Sequence, residues 1–140
     1  MGPAASYQVV MKEVQVPMVG HATCQDQLRA TPRLPRQFRL HDSFTCAGGE
    51  AGKDACRGDG GGPLVCLDEG TERYTQVGIV AWGIGCGEEN VPGVYTDVAA
   101  QVCWIDWTMA CRNFNHVLFN GPECNAWYEE KKNHKVKPLR

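Results

Sequence analysis

Valines and polar residues alternate loosely from Tyr7 to Val16, a pattern that predicts a strand. Pro17 ends or edges it, since proline offers no N–H to a ladder. His21 to Ala30 predicts a short helix, with Thr23 as a candidate N-cap ahead of Cys24 and Leu28. Thr31 to Arg39 holds two prolines and four cationic or amide side chains and reads as an exposed loop. Ser43 to Cys46 predicts a short strand leading into Ala47-Gly48-Gly49, and Glu50 to Gly62 a loop. Pro63 to Cys66 and Arg73 to Trp82 predict two strands joined by the polar turn Leu67 to Glu72, and Gly93 to Val98 predicts another.

The period then changes. Val98, Val102, Ile105 and Met109 recur at steps of four, three and four, one face of a helix. Trp104, Trp107 and Cys111 form a second apolar stripe, and these tryptophans are expected in the core. Beyond Asn120-Gly121-Pro122 the chain turns polar, and Glu129 to Arg140, with two acids, five Lys or Arg and His134, reads as a mobile tail. Short strands followed by a terminal helix predict an all-β fold, a Greek-key β-barrel closed by a C-terminal α-helix. Residues 1–111 form that unit, and 112–140 an extension expected to be partly disordered.

The 140 residues suit one domain. A hydrophobic share of 43% and a charged share of 21% are globular in character. The net charge of -2 argues against a nucleic-acid partner, and no apolar run is long enough for a membrane span. The first residues lack the basic and apolar regions of a signal peptide. The eight cysteines change the picture: neighbours stand at least eight residues apart, against the close pairs of zinc sites, so disulfides in an oxidising compartment are expected and metals and cofactors are not. Disulfides without a signal peptide imply the C-terminal part of a larger secreted precursor, or the start of an incomplete gene model.

Candidate chemistry centres on Cys56-Arg57-Gly58-Asp59-Gly60-Gly61-Gly62-Pro63. This run resembles the nucleophile loop of the chymotrypsin-like serine proteases (peptidase family S1), Gly-Asp-Ser-Gly-Gly-Pro, with Gly60 where the serine belongs. Val80-Ala81-Trp82-Gly83-Ile84-Gly85-Cys86 is similar to the family's cleft wall. Pro92-Gly93-Val94-Tyr95-Thr96-Asp97-Val98 and Phe44-Thr45-Cys46-Ala47-Gly48 are similar to its neighbouring strands, and Trp104-Ile105 to its final helix. The resemblance covers residues 7 to 109 and implies the second of two β-barrels. Further, Ala47 through Cys56 and His21 through Arg29 resemble the clip-domain serine protease homologues of arthropods, in which the nucleophile is commonly glycine. That subgroup implies secreted cofactors of prophenoloxidase activation, melanisation and innate immunity; no clip domain stands in these residues.

The resemblance implies a site without a catalytic residue. Gly60 offers no attacking oxygen, and His21, His41, His116 and His134 stand in none of the family's catalytic settings. The backbone N–H groups of Gly58 and Gly60 are the implied oxyanion hole, which alone supports little catalysis. Ser6 and Ser43 are the sole serines, neither near this loop in sequence. The implied specificity pocket comprises Asp54, six residues before Gly60, with Trp82, Gly83 and Gly93 as its walls. Such a pocket holds a basic side chain by charge-assisted hydrogen bonds; retained family residues around a closed pocket are the competing reading. Asp59, whose equivalent pairs with a freed α-amino group, needs another partner or a mobile loop. Arg57-Gly58-Asp59 also spells an adhesion triplet, of a kind frequent by chance.

The resemblance further implies Cys24–Cys46 and Cys56–Cys86, with Cys66 bonded upstream. On a helix Cys103 and Cys111 lie about 12 Å apart, beyond disulfide reach. That removes one of the three pairings of Cys66, Cys103, Cys111 and Cys124; Cys111–Cys124 is expected because the turn at Asn120 to Pro122 can bring the chain back, with Cys66 and Cys103 left to each other or to missing partners. The expected function is a non-catalytic serine protease homologue with protein partners in an extracellular cascade, prophenoloxidase or a clip-domain protease. The alternative is a partial chain of a trypsin-like endopeptidase with no independent role.

Overall fold

The computed structural model describes residues 10–111, apart from the side chains of 110 and 111. It divides into two units at Val98 and Ala99. The first holds β1 (Met18–Val19), α1 (His21–Ala30), β2 (Phe44–Gly48), β3 (Pro63–Asp68), β4 (Arg73–Trp82) and β5 (Pro92–Asp97). The second holds a 3-10 turn, Ala99–Gln101, and α2 (Val102–Cys111).

The five strands form one antiparallel sheet in the order β1-β2-β5-β4-β3. β3, β4 and β5 follow one another across the sheet, and β5 then lies beside β2. The long connection 49–62 therefore carries the chain from β2 to the far edge, which is Greek-key order. Side chains alternate between the two faces of this sheet. On one side Cys46 of β2 and Val94 of β5 join Cys24, Leu28, Leu40, Ile84 and Val91 in a core that α1 covers. On the other, Ala47 and Tyr95 pack with Leu64 of β3. α1 forms because Cys24 and Leu28, four apart, give it one apolar stripe, and both are fully buried.

Several expectations change. No strand occupies the described part of Tyr7–Val16; the strand comes after Pro17, at Met18–Val19. Val10, Val14 and Val16 pair with no strand, and Val10 stays 73% exposed, whereas the Pro17 carbonyl accepts the Gly48 N–H at 2.8 Å and Met18 pairs with Ala47. Thr23 is not the N-cap: α1 starts two residues earlier, with Gly20 in the cap position and no side-chain bond. Val98 precedes α2 rather than joining it. Trp104 and Trp107 are 52% and 42% exposed, so neither is a core residue. The 112–140 extension and its tail lie outside the described residues.

Two disulfides join described residues, Cys24–Cys46 and Cys56–Cys86. Cys66 is a free thiol and Cys103 is disulfide-bonded, which rules out a Cys66–Cys103 bond. The Cys111–Cys124 pairing lies outside the described residues.

Candidate functional site

Three connections meet at one end of the sheet: α1–β2 (31–43), β2–β3 (49–62) and β4–β5 (83–91). Cys56–Cys86 ties the second to the third, and the Gly52 N–H donates to the Gly87 carbonyl at 2.9 Å. The glycine run 60–62 is pinned to β4 in both directions: Gly61 N–H donates to the Val80 carbonyl and Val80 N–H to the Gly62 carbonyl, each at 2.9 Å. Gly62 has to be glycine, since a Cβ there would lie 2.9 Å from the Asp59 carbonyl oxygen. Opposite this loop the β4–β5 register shifts between Val80 and Trp82. Such a bulge bends a strand and re-aims its side chains. Trp82 then meets Phe38 and Phe44 edge-on, at centroid distances of 6.0 and 6.3 Å.

The connections enclose a cavity of about 590 Å³. Its lining brings together Asp54, Gly60, Trp82, Gly83 and Gly93, and adds Arg33, Arg57 and Tyr95. Gly58 is not part of the lining, although its φ of 97° sets the turn before Asp59. Among the described residues no histidine lines the cavity, and His41 is engaged elsewhere: its Nδ1 accepts the Ser43 N–H at 3.1 Å and lies 2.8 Å from Ser43 Oγ. A Cβ on Gly60 would meet nothing within 4 Å, so position 60 is open to a larger side chain.

Asp54 is held from one side. Its Oδ2 accepts the Gly87 N–H at 3.0 Å, while Oδ1 is shut off from solvent with no hydrogen-bond donor. A buried carboxylate oxygen without a donor is costly. Gly93 leaves room at this oxygen: a Cβ there would stand 3.0 Å from Oδ1 and 3.2 Å from Tyr95 Cε2. Asp59 is not left unpartnered, because its Oδ2 accepts the Cys56 N–H at 2.8 Å and closes its own turn.

Tyr95 is 3% exposed. Burial pushes its phenol above the ordinary value of 10.0, and the charges of Asp54 and then Asp59 push it further. The fold thus favours the neutral phenol. The stability this contributes is complete below the unfolded-chain value and is lost as pH rises through the raised folded value. A tyrosinate absorbance titration is expected to show Tyr95 ionising late. Asp54→Asn, which removes one of the two charges, should bring that step to lower pH; an unmoved step would contradict the Asp54 contribution.

Arg33 and Arg57 escape a reading by motif. Arg33 arrives through loop packing, with no local signal. Arg57 stands inside the glycine-rich run, where its nearness to Gly60 was the available signal.

The trypsin family profile matches residues 2–105. The chain is 56% identical over 119 residues to phenoloxidase-activating factor 2 of Galleria mellonella, covering 84% of this chain and 39% of that protein. It is 56% identical over 108 residues to inactive CLIP domain-containing serine protease A3 of Aedes aegypti, covering 76% and 22%. It is 46% identical over 104 residues to coagulation factor XII of Cavia porcellus, covering 73% and 16%. The chain therefore spans about two fifths or less of these relatives' length. The profile match over three quarters of the chain, joined to the Greek-key sheet and the glycine-rich cleft loop, settles descent: this chain belongs to the trypsin family.

Proposed function

We propose that this chain binds rather than cuts: a non-catalytic serine protease homologue, secreted, whose cavity receives a basic side chain of a partner in an extracellular protease cascade. The carrying observation is the pairing, on one cavity, of Gly60 with Asp54. Asp54 keeps a recognition charge, while position 60 has only a hydrogen to present. A cationic guest would supply the donor that Asp54 Oδ1 lacks. The names of two relatives, one an activator of phenoloxidase and one called inactive, support a cofactor role in prophenoloxidase activation, with prophenoloxidase or a clip-domain protease as partner. Two disulfides support an oxidising compartment. In this reading 1–111 is the second half of a protease-like domain and 112–140 its extension.

Chemistry and binding are tested separately. The full chain should neither hydrolyse peptide amides nor take up a fluorophosphonate label. Gly60→Ser should fold as well as the parent, given the open space at that position, and should remain without amidase activity because no histidine among the described residues lines the cavity. Measurable turnover by this variant would sink the inactive reading. In the binding arm, the chain should accelerate prophenoloxidase activation by a clip-domain protease; an unchanged rate would sink the cofactor role.

A further inference from the structure

The charges around the cavity have a layout of their own. Three charged side chains line it: Asp54, Arg33 and Arg57. Neither arginine comes within ion-pair distance of Asp54. Arg33 is compensated from outside the lining, with its Nη1 3.3 Å from Glu88 Oε1. That pair rests against Gly85, which also lines the cavity: a Cβ on Gly85 would collide with the Glu88 carboxylate and stand 3.2 Å from Arg33 Nη1. Arg57 differs. It is exposed and has no carboxylate partner among the described residues. Of the three acids on its own connection, Glu50 pairs with Lys53, Asp54 lies beyond ion-pair distance, and Asp59 accepts the Cys56 N–H.

The backbone that carries Arg57 is fixed in place, while its exposed side chain is free to reach over the rim. Its neighbour Cys56 is tied to Cys86, and the Asp59 N–H donates to the Cys56 carbonyl at 3.1 Å, closing a tight turn with Arg57 and Gly58 at its tip. A cation rooted at the rim of the cavity is therefore within reach of whatever adjoins a residue seated over Asp54.

We infer that the cavity selects a bipolar segment: an Arg or Lys anchored at Asp54 with an acidic residue next to it in the partner chain, met by Arg57. The inference rests on the reading of the cavity as a site for a basic side chain. It adds the chemistry of the flanking residues and makes Arg57 the residue that reads them. A basic flank meets the uncompensated cation of Arg57 and is disfavoured. Such specificity arises as much from repulsion of the wrong partner as from attraction of the right one.

The test uses the full chain and three probes. p-Aminobenzamidine, an aromatic amidine with no flanks, reports whether the cavity holds a cation. Two otherwise identical peptides, with a central Arg flanked by Glu or by Lys, report the flank. Amidine binding is expected, with a preference of roughly fivefold to tenfold for the Glu-flanked peptide, the scale of exposed charge pairs counted once as attraction and once as repulsion. The preference should shrink as salt is raised. Arg57→Glu should reverse its sign. Amidine binding with equal affinity for both peptides overturns the flank inference and leaves the cation site standing. A preference that survives Arg57→Glu overturns the role of Arg57. Absence of amidine binding overturns both the cation site and the inference built on it.

Discussion

Replacing both Cys24 and Cys46 by alanine is expected to be the most destabilising change in this molecule short of deleting an element. The bond closes a sequence separation of 22 residues, for which the chain-entropy account gives about 3 kcal/mol. Cys56–Cys86 closes 30, and the same account makes it a few tenths of a kcal/mol more valuable. Burial reverses that order. Cys24 and Cys46 have no exposed surface, and they lie in the core with Leu28, one turn along α1. Cys56 and Cys86 are exposed. Removing the first pair therefore loses packing as well as loop closure, for a total of about 4–5 kcal/mol, against the roughly 5–15 kcal/mol that holds an ordinary domain together. Urea unfolding followed by circular dichroism would measure it. The Cys56/Cys86 variant should lose less stability and should loosen the cleft. Equal losses from the two variants would mean that loop closure dominates and that α1 is held by other contacts.

Leu28→Ala separates the parts of that sum. Leu28 is fully buried on the same stripe, so its truncation should cost about 2–5 kcal/mol through transfer and cavity alone, with the disulfide intact. Because Cys24 and Leu28 share a core, the triple variant should fall short of the arithmetic sum.

These two residues also show what is legible in a sequence. Cys24 and Leu28 stand at helical spacing, and α1 runs from His21 to Ala30 as that spacing predicts. β4 covers the span its composition predicts, Arg73–Trp82. β1 was not legible, because a two-residue strand is defined by its partners Ala47 and Cys46 rather than by its own residues. The valine-rich stretch before Pro17 carries more strand signal, and its described residues, 10–16, pair with no strand. The exposed tryptophans mark the same gap: the stripe of Trp104 and Trp107 shows that the helix has an apolar face, and only tertiary structure tells what covers it. At the cavity, the residues belonging to a recognisable motif could be named in advance. Arg33 could not, since it reaches Asp54's cavity across another connection. Arg57 stands in a triplet of a kind frequent by chance, and its place at the cavity rim follows from its nearness to Gly60 instead.

Asp54→Asn is expected to abolish amidine binding while leaving the fold intact. The two effects separate because the two oxygens of Asp54 do different work. Oδ2 accepts the Gly87 N–H, and an asparagine carbonyl can take the same bond, so the tie between the 49–62 and 83–91 connections survives. Oδ1 has no donor and no solvent contact. Desolvation often cancels the gain from a buried ion pair. Here that cost falls on the empty site, so a guest cation recovers it. Losing one partner of such a pair costs about 2–5 kcal/mol, roughly thirtyfold to several thousandfold in affinity. Thermal stability should hold or rise, because the substitution removes a buried, half-satisfied charge. Gly93→Ala provides the steric counterpart: its Cβ would stand 3.0 Å from Oδ1 and 3.2 Å from Tyr95 Cε2, occupying the guest's approach while the carboxylate stays in place. Weak binding by both variants is the expected result, with the melting temperature held or raised in Asp54→Asn and somewhat lowered in Gly93→Ala by the crowding of buried Tyr95. Full amidine affinity in Asp54→Asn would show that the cation is held elsewhere on the cleft, and the proposal of a basic side chain seated over Asp54 would fall with it.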